Sequence, residues 1–165
     1  MVTGRDAVLE AVYASHLRSL LRTAVLLVDE PAAAEDVVQE AFVRAFATWH
    51  RLEDEGKALA YVRRIVVNLS RSTLRRRAVV RRHPPRPPEP VGSAEDAALR
   101  ALEGEAVVRA LRSLSRRQRE AVVLRWFLHL TEAEMAAAMG VSTGSVKAYA
   151  SRGLDELGRR LEEGS

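Results

Sequence analysis

Residues Leu114 to Leu161 read LSRRQREAVVLRWFLHLTEAEMAAAMGVSTGSVKAYASRGLDELGRRL. Ser115 with Gln118, and Thr131 with Glu134, form Ser/Thr-x-x-Gln/Glu helix starts, in which side chains satisfy unpaired amides of the first turn. The helix begun at Glu132 runs to Met139 and stops at Gly140, which tolerates a left-handed C-terminal turn; Ser142 caps the next helix, beginning at Thr143 or Gly144. The pattern is helix, tight turn, helix. In the last helix Val146, Ala150, Leu154, Leu157 and Leu161 predict an apolar seam, leaving Lys147, Ala148, Ser151 and Arg152 on the opposite face. A helix that packs on one side and offers short, polar and cationic groups on the other suits a DNA major groove. It also suits an ordinary bundle with solvated cations.

Working outward, 47% hydrophobic residues suffice for a core, and aromatics are scarce beside alanine, leucine and arginine, so helices are favoured over strands. The fold expected is all-α, in two small helical domains, about 1–80 and 95–165, joined by a linker over 81–94 that contains HPPRPPEP (His83 to Pro90). The first helix is predicted from about Arg5 to Val28, with Leu9, Val12, Tyr13, Leu17, Leu20, Ala24 and Leu27 inward. Asp29 or Glu30 caps a second, which starts at Pro31 or Ala32, ends near His50 and has Val38, Ala41, Phe42, Ala45 and Trp49 inside. Val37 and Phe46 lie off that stripe beside Glu35, Asp36, Gln39, Glu40 and Arg44: either a docking face with apolar anchors among charges, or a solvated face.

After the loop RLEDEGK (Arg51 to Lys57), a third helix is expected over about 58–77. Ala58, Val62, Ile65, Val66 and Leu69 face inward, while Arg64, Asn68, Arg71 and Arg75 make an outer line. Arg63, Arg76, Arg77, Arg81, Arg82 and Arg86 thicken this basic region, and no acidic residue falls between Glu55 and Glu89. Surfaces built for solubility intersperse both signs, so the block points to a polyanion. Beyond the linker, Ala94 to Ser113 is read as a helix that Gly104 weakens or breaks, and Ser115 to Leu128 as another, with Val122, Val123, Trp126 and Phe127 available to pack against the helix-turn-helix.

With no cysteine, disulfides and thiolate chemistry are excluded. The four histidines are scattered, no phosphate loop or nucleophile elbow appears, and the adjacent carboxylate pairs lie on helix surfaces, so neither a metal, a cofactor nor an enzyme is expected. The apolar runs are too short to span a bilayer and the N-terminus does not resemble a signal peptide, so a cytoplasmic location is expected.

Two motifs, in order, carry a family resemblance. Glu35-Asp36-Val37-Val38-Gln39-Glu40-Ala41-Phe42, followed by Trp49, resembles the Asp-Leu-Val-Gln-Glu-x-Phe signature of region 2 in bacterial sigma factors, and Tyr61 to Asn68 resembles that region's next helix. Leu114 to Leu161 is similar to region 4, and the two-domain layout resembles the extracytoplasmic-function (ECF) group. The resemblance implies that Asp36, Val37, Gln39, Glu40 and Phe42 meet the β′ clamp helices of RNA polymerase core. Phe42, being also on the inner stripe, is expected to support that surface or to touch polymerase. It implies that Arg63, Arg64, Asn68, Arg71 and Arg75 meet the −10 element, where a base is captured as the duplex opens, and that Ser142, Thr143, Ser145, Lys147, Ala148, Tyr149, Ser151 and Arg152 meet the −35 element. The β flap, which Trp126 and Phe127 meet if they do not serve the core, and an anti-sigma factor are further implied partners.

Two departures bear on promoter preference. Ser72 stands where the family often has an acidic residue, and Lys147-Ala148-Tyr149 replaces the common Lys/Arg-Ser-Arg. The rival readings are a stand-alone helix-turn-helix regulator that binds its operator as a dimer, and an adaptor whose basic surfaces hold acidic proteins.

Overall fold

The computed structural model describes residues 4–28, 30–51, 54–81 and 104–164. Among them the regular structure is helical throughout: α1 (Gly4–Val28), α2 (Pro31–Thr48), α3 (Ala58–Arg81), α4 (Glu105–Ser113), α5 (Arg116–Val122), α6 (Glu132–Met139) and α7 (Thr143–Glu163). The expected proline linker, Arg82 and Arg86, and the first half of the helix read from Ala94 lie outside the described residues; α4 begins directly after Gly104, whose φ is 70°.

Helices α1, α2 and α3 pack together around Leu9, Leu20, Ala24, Val38, Ala41, Trp49, Val62 and Val66. Pro31 opens α2 at its first turn, where a missing amide is harmless; Glu30 precedes it in extended conformation and makes an ion pair with Arg77 instead of a cap bond. Trp49 closes the far end: its indole N–H donates to the Arg5 carbonyl at 2.8 Å and its ring lies 6.5 Å from that of Tyr61. Tyr13, expected inside, is exposed and meets Phe42 edge-on at 4.9 Å. Helix α3 runs four residues past its expected end, to Arg81.

A second apolar cluster holds Leu111, Leu114, Val122, Val123, Leu124, Met135, Met139, Val146 and Leu157, and it also takes in Leu26 and Leu27 of α1 and Val67 of α3. The two halves therefore pack against each other rather than standing apart.

Three further sequence expectations are corrected. The helix read from Ser115 to Leu128 is α-helical only to Val122; Val123–Phe127 is a π turn, and His129 follows at φ 55°. The wider turn rotates the later side chains, so that Trp126 is 40% exposed and Phe127 half-buried under Arg22, not both in the core. In α7 the seam passes through Gly153, while Leu154 is 42% exposed. At about 100° per residue, Gly153 falls roughly 20° from the direction of Val146 and Leu154 roughly 80°. Lastly, Val37 is only 4% exposed, because α2 lies against both α1 and α3 and its buried stripe is broad enough to include Ala34 and Val37.

Candidate nucleic-acid and polymerase interface

The helix-turn-helix is built by its local signals. Thr131 and Glu134 form a reciprocal capping box, with Thr131 N–H donating to the Glu134 carboxylate at 2.8 Å and Glu134 N–H to the Thr131 hydroxyl at 3.2 Å. Helix α6 ends where Gly140 takes φ 67°, and its N–H donates to Ala136 O at 2.9 Å. The Ser142 hydroxyl then accepts from Ser145 N–H at 3.1 Å and starts α7. With Val146, Gly153 and Leu157 buried, Ser142, Thr143, Lys147, Ser151 and Arg152 project into solvent. Ser145 and Ala148 are half-buried, and Tyr149 packs against the second core, so of the predicted DNA-facing set Tyr149 is largely committed to structure.

On α2, Asp36, Gln39 and Glu40 are exposed, whereas Val37 and Phe42 are core residues that shape the surface from below. An open groove between α2 and α3 is lined by Asp36, Val37, Gln39, Glu40, Val43 and Arg44 on one side and Leu69, Thr73 and Arg76 on the other. Val43, 63% exposed, is the apolar residue that lines this groove, Phe46 is a second exposed apolar residue on the same helix, and Arg44 pairs with Glu40 at 2.9 Å. Val43 is not among the contacts expected from the family motif; its spacing of seven from Asp36, two helical turns, is the signal that places it on the same face.

The expected basic line on α3 is interrupted. Arg64, Asn68 and Arg75 are exposed, but Arg71 is turned into the contact between the two halves. Its Nε and Nη2 donate to the Glu120 carboxylate at 2.6 and 2.9 Å, and Nη2 also donates to Met139 O at 2.8 Å. Arg63 is half-buried; burial lowers its guanidinium pKa, and the negative charge of Glu134 offsets part of that. Among the described residues no acidic and histidine cluster suits a metal ion, and no helix is long and apolar enough to cross a membrane.

A three-helix unit with a charged groove, followed by a capped helix-turn-helix with a cationic outer face, is the layout implied by the resemblance to DNA-reading polymerase subunits, and comparison with known proteins agrees. Residues 12–79 match the model of Sigma-70 region 2 and residues 104–157 that of Sigma-70 region 4. The chain belongs to the sigma-70 family, in its ECF group. It is similar to the RNA polymerase sigma-E factor of Streptomyces antibioticus, at 32% identity over 98% of this chain and 89% of that one. It also resembles the ECF sigma factor SigM of Mycobacterium tuberculosis, at 31% identity over 97% and 80%. Among solved structures, the sigma factor RpoE in its complex with the anti-sigma factor NepR from Bartonella quintana superposes with a TM-score of 0.75, at 25% identity, covering 93% of this chain and 96% of that one. CnrH, in complex with the cytosolic domain of CnrY, shares the fold at a TM-score of 0.74. The protein is thus a sigma factor acting in promoter recognition with RNA polymerase. A stand-alone dimeric regulator would leave the region 2 half unexplained.

Proposed function

We propose the following division of labour for initiation. Residues 1–80 dock on core polymerase and meet the −10 element, 95–165 read the −35 element, and 81–94 tether the two. Asp36, Gln39 and Glu40 orient the docking face against the β′ clamp helices, Val43 supplies an apolar contact, and Val37 and Phe42 hold the backbone beneath. Arg64, Asn68 and Arg75, joined by Arg63 and Arg71, follow the −10 strand, since guanidinium groups neutralise phosphates and stack on unpaired bases. The outer face of α7 enters the major groove of the −35 element, and the helix-turn-helix half also meets the β flap. Tethering two modest DNA contacts raises the effective concentration of the second once the first is made. The work is binding rather than catalysis, in the cytoplasm where polymerase and promoter are, and an anti-sigma factor is a fitting regulator.

The observation that carries this reading is the α7 geometry: Lys147, Ser151 and Arg152 are exposed opposite buried Val146, Gly153 and Leu157. Transcription in vitro with purified core enzyme over a promoter library tests it, and a library transcribed equally with and without the protein would dismiss it.

Two substitutions test the parts. Arg152→Ala is expected to reduce discrimination at one −35 base pair by about 1–3 kcal/mol, read by competition between single-base variants; equal weakening on every sequence would confine Arg152 to phosphate contact. Asp36→Arg, at an exposed helical site, is expected to leave thermal unfolding unchanged and to weaken association with core polymerase. Undiminished co-purification with core would remove Asp36 from the docking face.

A further inference from the structure

The contact between the two halves is polar where it crosses the DNA-facing side of α3. Arg71 and Glu120 are 11% and 3% exposed, and their bidentate pair is supplemented by the bond from Arg71 to Met139 O at the end of α6. Arg117 reaches the same carbonyl at 2.9 Å, and Arg119 donates to Leu27 O at 3.3 Å. Helix α6 thereby lies over α3: Arg71 is consumed, and Arg63 is half-buried near Glu134. Among the described residues the Nε of Arg63 is buried without a hydrogen-bond partner, a desolvation cost recovered if α6 lifts away.

A purely structural interface would be expected to be apolar, as around Leu27 and Val67, because a buried ion pair gives little net stability over well-packed hydrophobic groups. What it gives is a contact that is sensitive to loss of either partner. We infer that the Arg71–Glu120 pair is a latch holding this sigma factor in a closed, autoinhibited form, in which the helix-turn-helix half masks the part of the α3 face around Arg63 and Arg71 and withholds Arg71 from nucleic acid until the halves separate. The masking rests on the proposed −10 role of α3; the latch itself rests on the contact geometry alone. Opening breaks the ion pair and the Met139 bond, and phosphates are the natural replacement partners for the released guanidinium.

The chain has no cysteine, so paired labels can be placed at will. Spin labels at Ala47→Cys and Asp155→Cys, both exposed and one in each half, report the separation by electron paramagnetic resonance in the full chain. The wild type is expected to give one short, narrow distance distribution. Glu120→Lys, which sets two cations face to face, is expected to shift the closed-to-open ratio on the order of a hundredfold, with helical circular dichroism retained. Should Glu120→Lys not fold, the milder Glu120→Gln, which keeps shape and loses charge, is expected to shift it about tenfold. A wild-type distribution already broad, or one that neither variant moves, overturns the latch.

Binding of a single-stranded −10 oligonucleotide then separates the two claims. The opened variant is expected to bind it more tightly than the wild type, and Arg64→Ala in that background to weaken it. Unimproved binding that remains sensitive to Arg64→Ala overturns the masking. Binding indifferent to Arg64→Ala removes the −10 assignment instead, while the distance shift continues to support the latch.

Discussion

Trp49→Ala is expected to destabilise the protein by about 3–5 kcal/mol, a large share of the 5–15 kcal/mol typical of a folded domain. Trp49 is among the largest fully buried side chains, and it closes the end of the α1–α2–α3 core. Its removal leaves a cavity beside Tyr61 and also orphans the Arg5 carbonyl that accepts the indole N–H. The loss should appear in urea unfolding followed by circular dichroism. Trp49→Phe, which keeps a ring but not the donor, should lose less. A cost below about 1 kcal/mol for the alanine variant would mean that the pocket collapses and that Trp49 is not the keystone of this core.

The second large effect lies at Gly153, and its sign runs against helix propensity. A Cβ built there sits 2.8 Å from Val122 Cγ2 and 3.0 Å from the Gln118 carbonyl oxygen, one a rigid buried side chain and the other backbone. Alanine at an exposed helical glycine gains about 1 kcal/mol from reduced unfolded-state entropy. At Gly153 overpacking works against that gain, at about 1–3 kcal/mol for the added atoms, and Gly153→Val adds two more methyls at the same contact. Gly153→Val is therefore expected to force α7 off α5 and lower the melting temperature by several degrees, on the order of 1 kcal/mol per 4–8 °C for a small domain. Gly158, in the same helix, has nothing within 4 Å, so Gly158→Ala is expected to stabilise. If the two sites respond alike to alanine, close approach of α5 and α7 is not what requires glycine at 153. On the −35 role proposed for α7, the Gly153 variants should also lose −35 affinity in proportion to the fraction unfolded.

Local order was legible wherever a chemical signal acts over three or four residues. The caps at Ser115, Thr131 and Ser142, the stop at Gly140 and the start at Pro31 depend on side chains reaching neighbouring amides or on one residue's φ, so the chain by itself determined an all-α fold and a helix-turn-helix at 132–163. The same is true of the family: the region 2 and region 4 motifs are contiguous patterns, readable before folding.

What tertiary structure decided concerns faces that are buried by more than one neighbour. Val37 belongs to the core because α2 meets α1 and α3 together, and Gly153 to the seam because α5 comes within contact of the α7 backbone. Neither the π turn that exposes Trp126 nor the inward turn of Arg71 is encoded by spacing. Arg71 shared an outer line with Arg64, Asn68 and Arg75, and its fate rests on Glu120, 49 positions away, and on the carbonyl of Met139. Helical periodicity says which residues share a side. Whether that side meets water, DNA or the other half of the chain depends on where packing places a second surface, and that information is not local.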